Sequence, residues 1–440
     1  MIVMKFGGTS VGTAERIQQV FEIVTSQTDA HPIVVVSAVG GVTDLLLEAG
    51  QKALAGEVDI APIKAKHQQV IEGLSLPADM LDTYHEELEN LLEGIRMIKE
   101  ISPRTSDYLV SFGERISCQL VAAHFRNMGR PSQHHFAFDI GMITDDVFQS
   151  ALPLPEAYVR IADHLKEVNY TPIITGFVGK NKKGEITTLG RGGSDYTAAI
   201  LGGAVQAEEI QIWTDVDGIL TTDPRLVAAA SNVPVVSFKE AAELAYFGAK
   251  VLHPKTIRPA LERDIPVVVK NTGNADHPGT RIVRESPTTD ATVKAISFKK
   301  GVRVINIYSL RMLDTFGYLS KVFDIFARHK VVVDMVSTSE VSVSITVDKG
   351  QVIEEAVEEV SQFAEVRVEK DLAIVCLVGE GMREGVGIAG KVFDQLAREN
   401  IAIEMISQGA SDINLGFVIN GQDADRAVKT LHQVLFETAS

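Results

Sequence analysis

Short unbroken apolar runs, rich in β-branched residues, alternate through about the first 270 positions with stretches in which apolar residues recur every third or fourth place. Runs at residues 2–5, 33–37, 171–175, 209–214 and 265–270 predict strands buried on both faces, and the amphipathic stretches between them predict helices covering a mostly parallel sheet. From about residue 44 to 106 strand signals vanish and helical charge patterning takes over, as in Glu86-Glu87-Leu88-Glu89-Asn90-Leu91-Leu92, which predicts a helical insertion. The turn-rich residues 271–279 predict the edge of this first domain.

The remainder repeats itself. Lys321-Val322-Phe323-Asp324, Ala327-Arg328 and Val333-Asp334-Met335-Val336-Ser337 recur 70 residues later as Lys391-Val392-Phe393-Asp394, Ala397-Arg398 and Ile403-Glu404-Met405-Ile406-Ser407. Shifted by 72, Glu340-Val341-Ser342-Val343 matches Asp412-Ile413-Asn414-Leu415. Each copy reads strand, Gly-containing turn, helix, strand, alternating strand, so the pattern predicts tandem small α+β domains.

At 440 residues the chain exceeds one hydrophobic core, and two or three domains are expected. Its 45% hydrophobic and 23% charged residues are those of a soluble globular protein. The net charge of −16 argues against a nucleic-acid or anionic-membrane surface, so any anionic ligand must be held by local cations. The two cysteines, Cys118 and Cys376, match no metal-ligand or redox spacing. No apolar stretch approaches the ~20 residues that span a bilayer. Met1 leads straight into a strand, leaving no room for a signal peptide, and a cytoplasmic protein is expected.

The first apolar run passes directly into Lys5-Phe6-Gly7-Gly8-Thr9-Ser10, with a helical pattern from Thr13. A cation and bare backbone N–H groups at a helix N-terminus suit a phosphate. A second glycine-rich loop, Leu189-Gly190-Arg191-Gly192-Gly193-Ser194-Asp195, opens a helix much later, and two such loops, each with a cation, point to a site that holds two anionic groups together. Arg191 there is suited to grip a carboxylate in bidentate fashion while backbone donors bind oxygen nearby. Ser111-Phe112-Gly113-Glu114-Arg115-Ile116-Ser117 reads equally as a functional stretch or as a plain helix start, with Ser111 as N-cap and Glu114 closing a capping box. Lys250, in the mostly apolar Phe247-Gly248-Ala249-Lys250-Val251-Leu252, is a poor choice for packing and favours function; His253 before Pro254 reads as a helix terminator. The acidic run at 213–225 departs from the EF-hand spacing. Gly385-Val386-Gly387-Ile388-Ala389-Gly390 spells a dinucleotide fingerprint, but the first copy of the repeat has Asp314-Thr315-Phe316-Gly317-Tyr318 in that loop, so the glycines read as a turn.

With KFGGTS at 5–10, SFGERIS at 111–117, GRGGSDYTA at 190–198, WTDVDGILTTDPR at 213–225 and FGAKVLHPKT at 247–256 in that order, the chain resembles the aspartate kinases of the amino-acid kinase family over its full length. The run at 337–343 and the overall length look most like the single-activity, lysine-sensitive branch. The resemblance implies an α/β fold: an amino-acid kinase (carbamate kinase-like) sheet sandwich with a helical insertion over residues 1–290, then two α+β ACT domains at 301–370 and 371–440, with room for interleaved strands. It implies transfer of the γ-phosphoryl group of ATP, with Mg²⁺, to the β-carboxylate of L-aspartate, giving 4-phospho-L-aspartate. That reaction is the first step of lysine, threonine and methionine biosynthesis.

By the same resemblance Lys5 and Lys250 contact the phosphates and stabilise the transition state, Asp195 orients both lysines, and Gly7, Gly8 and Ser10 donate to phosphoryl oxygens. Thr214, Asp215 and Arg225 match the nucleotide-binding loop, Val251 adjoins Lys250, and Leu220 stands where many relatives pack an aromatic residue on adenine. Arg191 would bind the substrate α-carboxylate, Glu114 its ammonium, and Ser37, Thr43, Gly192, Gly193 and Ser194 the remaining oxygens. No protein group is assigned to a metal, since phosphate oxygens commonly hold Mg²⁺. Met312, Asp314, Thr315, Tyr318, Asp334 and Ser339 would bind a feedback effector, lysine with threonine as the alternative, and ACT pairing implies a homodimer or dimer of dimers. The rival readings are another kinase of this fold, which generally lacks the 111–117 stretch and the ACT pair, and a non-catalytic amino-acid sensor, which has no need of Lys5, Lys250 and Asp195.

Overall fold

A computed structural model of the chain describes residues 1–27, 31–247, 254–286, 292–313, 315–382, 385–409 and 413–437. The chain forms two compact units, one of Met1–Ile219, Pro234–Phe238 and Val251–Ser286, the other of Leu220–Val233, Lys239–Lys250 and Pro287–Ser440.

The first unit is built on an eight-stranded sheet in the order Ser132–His135, Thr171–Thr175, Pro32–Val36, Ile2–Phe6, Glu209–Thr214, Val267–Asn271, Thr280–Val283, Val235–Ser237. The first six strands in that order run parallel, as fully apolar strands separated by helices predict. Ile2–Phe6 and Pro32–Val36 are buried along their whole length, and each large apolar side chain so removed from water contributes about 1.5–3 kcal/mol. The helix Ala14–Ser26 is capped by Thr13, whose hydroxyl accepts from the Arg16 amide, and it buries Ile17, Val20, Ile23 and Val24. The insertion is helical as expected: Val42–Leu54, Ala61–Gly73, Asp82–Ile98 and Pro103–Asn127 share one core with those strands.

Two expectations change. Residues 271–279 do not close the domain but reverse the chain between Val267–Asn271 and Thr280–Val283, which pair antiparallel in the same sheet; turn-forming residues serve a hairpin as well as a boundary. Ser111 starts no helix either. Ser102 caps Pro103–Asn127 by accepting from the Thr105 amide, with Pro103 in the first turn where its missing N–H costs nothing. Ser111 lies within that helix and donates its hydroxyl to the Tyr108 carbonyl.

Strand register sets up the functional end of this sheet. Phe6 lies level with Val36 on one side and Trp213 on the other, so three neighbouring strands end together and their loops emerge together. In open parallel sheets the carboxyl ends are where ligands bind.

The second unit carries a six-stranded antiparallel sheet in the order Val336–Thr338, Ser342–Asp348, Ala295–Tyr308, Glu365–Val378, Asn414–Asn420, Ile403–Ser407. The repeated helices, Tyr318–Arg328 and Ile388–Arg398, are each entered through a left-handed glycine, Gly317 at φ 76° and Gly387 at φ 90°. The fingerprint-like glycines therefore include a helix cap at the position equivalent to Gly317. The two long strands serve two cores. Ile305 and Ile307 pack with Val322 and Phe326, whereas Ile296, Val375 and Leu377 pack with Val392 and Leu396. The ladder shifts register between Lys300 and Val302, around Gly301 at φ 75°. Among the described residues no helix is long and apolar enough to cross a membrane.

One glycine ties fold to site. A Cβ on Gly113 would stand 2.7 Å from the Cβ of Ala38, in the loop after Pro32–Val36. Gly113→Ala is expected to lower stability by about 1–3 kcal/mol through overpacking, against alanine's better helix propensity. A urea midpoint that stays put or rises would show that the helix has room to move there.

Candidate active site

The carboxyl ends of the parallel strands frame a cavity of about 610 Å³ in the first unit. Its lining includes Lys5 at the end of the first strand and Gly8 after it, Ser37, Gly40 and Gly41 after the second strand with Thr43 in the helix that follows, and Glu114 with Asp107 from the long helix. Phe177 and the loop Gly190, Arg191, Gly192, Gly193, Ser194 and Asp195 complete it. Segments almost 190 residues apart thus meet at one point, as the paired glycine-rich loops implied. Glycine permits the approach: a Cβ on Gly193 would come 2.5 Å from the Phe177 ring. Gly7 similarly leaves room for Lys5, whose Nζ would lie 3.4 Å from a Cβ there.

Lys5 is 9% exposed, and its Nζ lies 2.7 Å from Asp195 Oδ1, an ion contact between the first strand and the helix Gly193–Val205. Arg191 is exposed at the cavity rim, with no ion-pair or hydrogen-bond partner among the described residues. Glu114 is 4% exposed; its Oε1 accepts from the Ala38 amide at 3.2 Å, while its Oε2 has no partner. Burial pushes the Glu114 carboxyl up to about 8, against the smaller opposing pull of backbone amides and the Lys5 ammonium. A dry carboxylate with one oxygen unsatisfied is a receptor for a cation. Asp107 is buried but fully used. It accepts from the Gln149 and Thr188 amides at 2.9 and 2.8 Å and from the Thr188 hydroxyl at 2.9 Å. Burial raises its carboxyl, and those three bonds oppose the rise.

The cavity brings together Lys5, Gly8, Ser37, Thr43, Glu114, Arg191, Gly192, Gly193, Ser194 and Asp195 of the expected set. Two loop donors behave otherwise than expected. The Gly7 amide donates to the Trp213 carbonyl at 3.2 Å, and the Ser10 amide to the Gly7 carbonyl at 2.9 Å. The Ser10 hydroxyl shares a 2.7 Å hydrogen bond with Thr272, so Ser10 braces the loop with both of its donors. The nucleotide-loop residues are not among those lining the cavity. Thr214 and Asp215 follow the end of their strand, the Thr214 hydroxyl donating to Asp215 at 3.1 Å, while Leu220 bridges to Asn232 and Arg225 pairs with Asp223 at 2.6 Å, both in the second unit. Lys250, Val251 and Asp314 lie outside the described residues.

In the second unit Thr315 and Tyr318 line a cavity of about 500 Å³ with Arg311, Phe316, Lys321 and Phe363. Met312 packs on the core of that lobe. Ser339 hydrogen-bonds Ser342 at 2.7 Å, and Asp334 is held by Tyr246 and Lys299. None of these three lines the 500 Å³ cavity.

Sequence reasoning missed Asp107, the Gly40-Gly41 pair and Phe177. The glycine pair had a signal, since it follows a strand as Gly7-Gly8 does. Asp107 had none: an acid near a helix start is unremarkable until Thr188 and Gln149 arrive from elsewhere. Among the described residues no group of three or more His, Cys, Asp or Glu side chains is placed to hold a metal.

A family model described as amino acid kinase family matches residues 1–271, and one described as ACT domain matches residues 305–362 and 375–435. Aspartokinase 1, chloroplastic, of Arabidopsis thaliana is 42% identical over 457 aligned positions, covering 99% of this chain and 80% of that protein. E. coli aspartokinase III in complex with aspartate and ADP, in its R-state, is 37% identical with a TM-score of 0.83, covering 99% of this chain and 100% of that one. The same E. coli enzyme with lysine and aspartate, in its T-state, gives a TM-score of 0.75 at 37% identity and 99% coverage of both chains.

The Glu114 carboxyl carries a stability consequence. Its native value is raised to about 8 from 4.5, so between those values the native state keeps a proton that the unfolded chain has released. Stability then falls as pH rises through that window, by at most about 1.4 kcal/mol per pH unit, and levels off above it. Glu114→Gln is expected to remove that slope. Melting temperatures of the two proteins should diverge from pH 5 to 8, the Gln variant the more stable at the alkaline end; parallel curves would show the carboxyl is not so raised.

Proposed function

Because the chain belongs to the aspartokinases of the amino acid kinase family, we propose that it transfers the γ-phosphoryl group of ATP to the side-chain carboxylate of L-aspartate, giving 4-phospho-L-aspartate. The observation that carries this reading is the single cavity in which Lys5, the partnerless Arg191 and the half-satisfied Glu114 face one another. A cation for phosphate, a guanidinium for a carboxylate and a buried carboxylate for an ammonium are the complement of an amino acid beside a triphosphate.

Arg191 binds the α-carboxylate and Glu114 the α-ammonium, which leaves the side-chain carboxylate directed at the phosphoryl group. That carboxylate is already a nucleophile at neutral pH and needs no general base. The protein's work is to align two anions and to neutralise the charge that develops between them. Lys5, oriented by Asp195, supplies one positive charge, and Lys250, matched by its FGAKVLHP context, supplies a second. The Gly8 amide, with no partner among the described residues, donates to a phosphoryl oxygen, while Gly7 and Ser10 hold the loop in shape. Ser37, Thr43, Gly192, Gly193 and Ser194 offer donors around the substrate, and Thr214, Asp215, Leu220, Arg225 and Val251 form the nucleotide set. The Asp195 carboxylate is engaged by Lys5, which fits Mg²⁺ held mainly by the nucleotide's phosphate oxygens. When bound, that ion neutralises phosphate charge.

Residues 1–290 form the catalytic domain and 301–370 with 371–440 the ACT domains in this reading, in a cytoplasmic enzyme that pairs through the ACT domains. An end-product amino acid, lysine before threonine, inhibits it through Met312, Asp314, Thr315, Tyr318, Asp334 and Ser339.

A coupled ADP-release assay with hydroxylamine present tests the reaction: aspartate should yield ADP and aspartyl hydroxamate in equal amounts. ADP without hydroxamate, or no ADP at all, would exclude an acyl phosphate product. Lys5→Ala should lower kcat about a hundredfold, roughly 3 kcal/mol, with the KM for aspartate changed little. An unchanged kcat would remove Lys5 from the phosphoryl site. Since Glu114 must be ionised to receive the ammonium, and its carboxyl sits near 8, the apparent affinity for aspartate should improve about tenfold from pH 7 to 9. A flat KM across that range would disqualify Glu114.

A further inference from the structure

Residues 239–250 belong to the second unit, although the sequence places them between strands of the first. In the helix Phe238–Tyr246, Glu240, Glu243 and Tyr246 follow at intervals of three, so they share one face. Each reaches a different part of the unit. Glu240 pairs with Lys294 at 2.9 Å and accepts from the Glu380 amide at 2.6 Å. Glu243 accepts from the Asn414 side-chain amide, and the Tyr246 hydroxyl donates to Asp334 Oδ1, each at 2.5 Å.

The two ends of this helix are held differently. The Glu240 and Lys294 side chains are 0% and 7% exposed, so parting them would strand a buried charge, and that end is a fixed anchor. Tyr246 is 42% exposed, so a hydroxyl released from Asp334 finds water at once. Asp334 is 3% exposed at its side chain, with Lys299 Nζ 3.1 Å from its other oxygen. That lysine has a second carboxylate, Asp348, at 2.7 Å, and remains paired if Asp334 is taken from it. An alkylammonium and a phenol thus already occupy a carboxylate of the effector set named above, one suited to an effector's ammonium, and both can leave at small cost.

We infer that Tyr246 is a positioning residue of the effector site: with Lys299 it holds Asp334 in the effector-free protein, and an amino-acid effector binds by displacing it. Tyr246 lies four residues before Lys250. Its release detaches that end of the helix, while Glu240 keeps the other end in place. Effector binding and attachment of this helix end are then mutually exclusive through one hydrogen bond, and by linkage a weaker bond must strengthen the effector. This rests on the reading that Asp334 receives the effector.

The test uses the full-length enzyme, titrated calorimetrically with L-lysine and separately with L-threonine, alongside inhibition curves. Tyr246→Phe removes one exposed oxygen. It is expected to lower the Kd of whichever amino acid binds about three- to tenfold and to lower the inhibition midpoint in parallel. Lys299→Gln should move Kd in the same direction. If neither amino acid binds the wild-type enzyme, or if Asp334→Asn leaves Kd unchanged, the effector reading itself fails, and this inference with it. If Asp334→Asn weakens binding but Tyr246→Phe leaves Kd as it was or raises it, the inference alone is overturned. A tighter Kd with an unchanged inhibition midpoint would overturn the link between this helix end and inhibition.

Discussion

The contact between Lys5 and Asp195 is the constraint on which the catalytic unit depends. It requires the end of the central strand and the start of a helix almost 190 residues later to come close enough for Lys5 Nζ and Asp195 Oδ1 to lie 2.7 Å apart at a nearly dry position. Parallel pairing of Ile2–Phe6 with both Pro32–Val36 and Glu209–Thr214 brings the first loop to the rim of the sheet, and glycines bring the second loop down upon it. A buried ammonium without a counter-charge carries a desolvation cost that nothing offsets. Asp195 secures the charge, and the rest of the cavity is arranged around it.

Two carboxylates on one helix show how the same burial yields different chemistry. Asp107 and Glu114 both lie within Pro103–Asn127, both are nearly inaccessible, and burial raises both. Asp107 spends its lone pairs on Thr188 and Gln149 and so fastens the helix to the end of the strand Ile186–Thr188 and to the loop at Gln149. Glu114 meets only the Ala38 amide and keeps one oxygen unsatisfied. A structure retains such an unsatisfied group at a cost in stability, which a cation bound there would offset; in the function proposed above that cation is the substrate ammonium.

The regulatory unit follows a different principle. Its two repeat copies share one antiparallel sheet because the long strands Ala295–Tyr308 and Glu365–Val378 each contribute to two cores, with the register shift at Gly301 between them. The residues expected to receive an effector divide accordingly. Thr315 and Tyr318 face a cavity, whereas Asp334 is already satisfied by the chain's own tyrosine and lysine.

The parallel strands, the helical insertion, the repeat and the two glycine-rich loops were legible in the sequence because each depends on local periodicity or local backbone freedom, and the resemblance named part of the cavity's lining, mostly from short contiguous motifs. The capping reading of Ser111 and the domain edge at 271–279 failed for one reason: a capping pattern and a turn look alike whatever lies across from them. The tertiary structure alone decided that Ser10 bonds to Thr272 rather than facing the cavity, that Asp107 is a brace, and that Tyr246 reaches Asp334. Those outcomes depend on partners far away in sequence, and hydrogen bonds at 3 Å cannot be read from a chain until folding has chosen which groups meet.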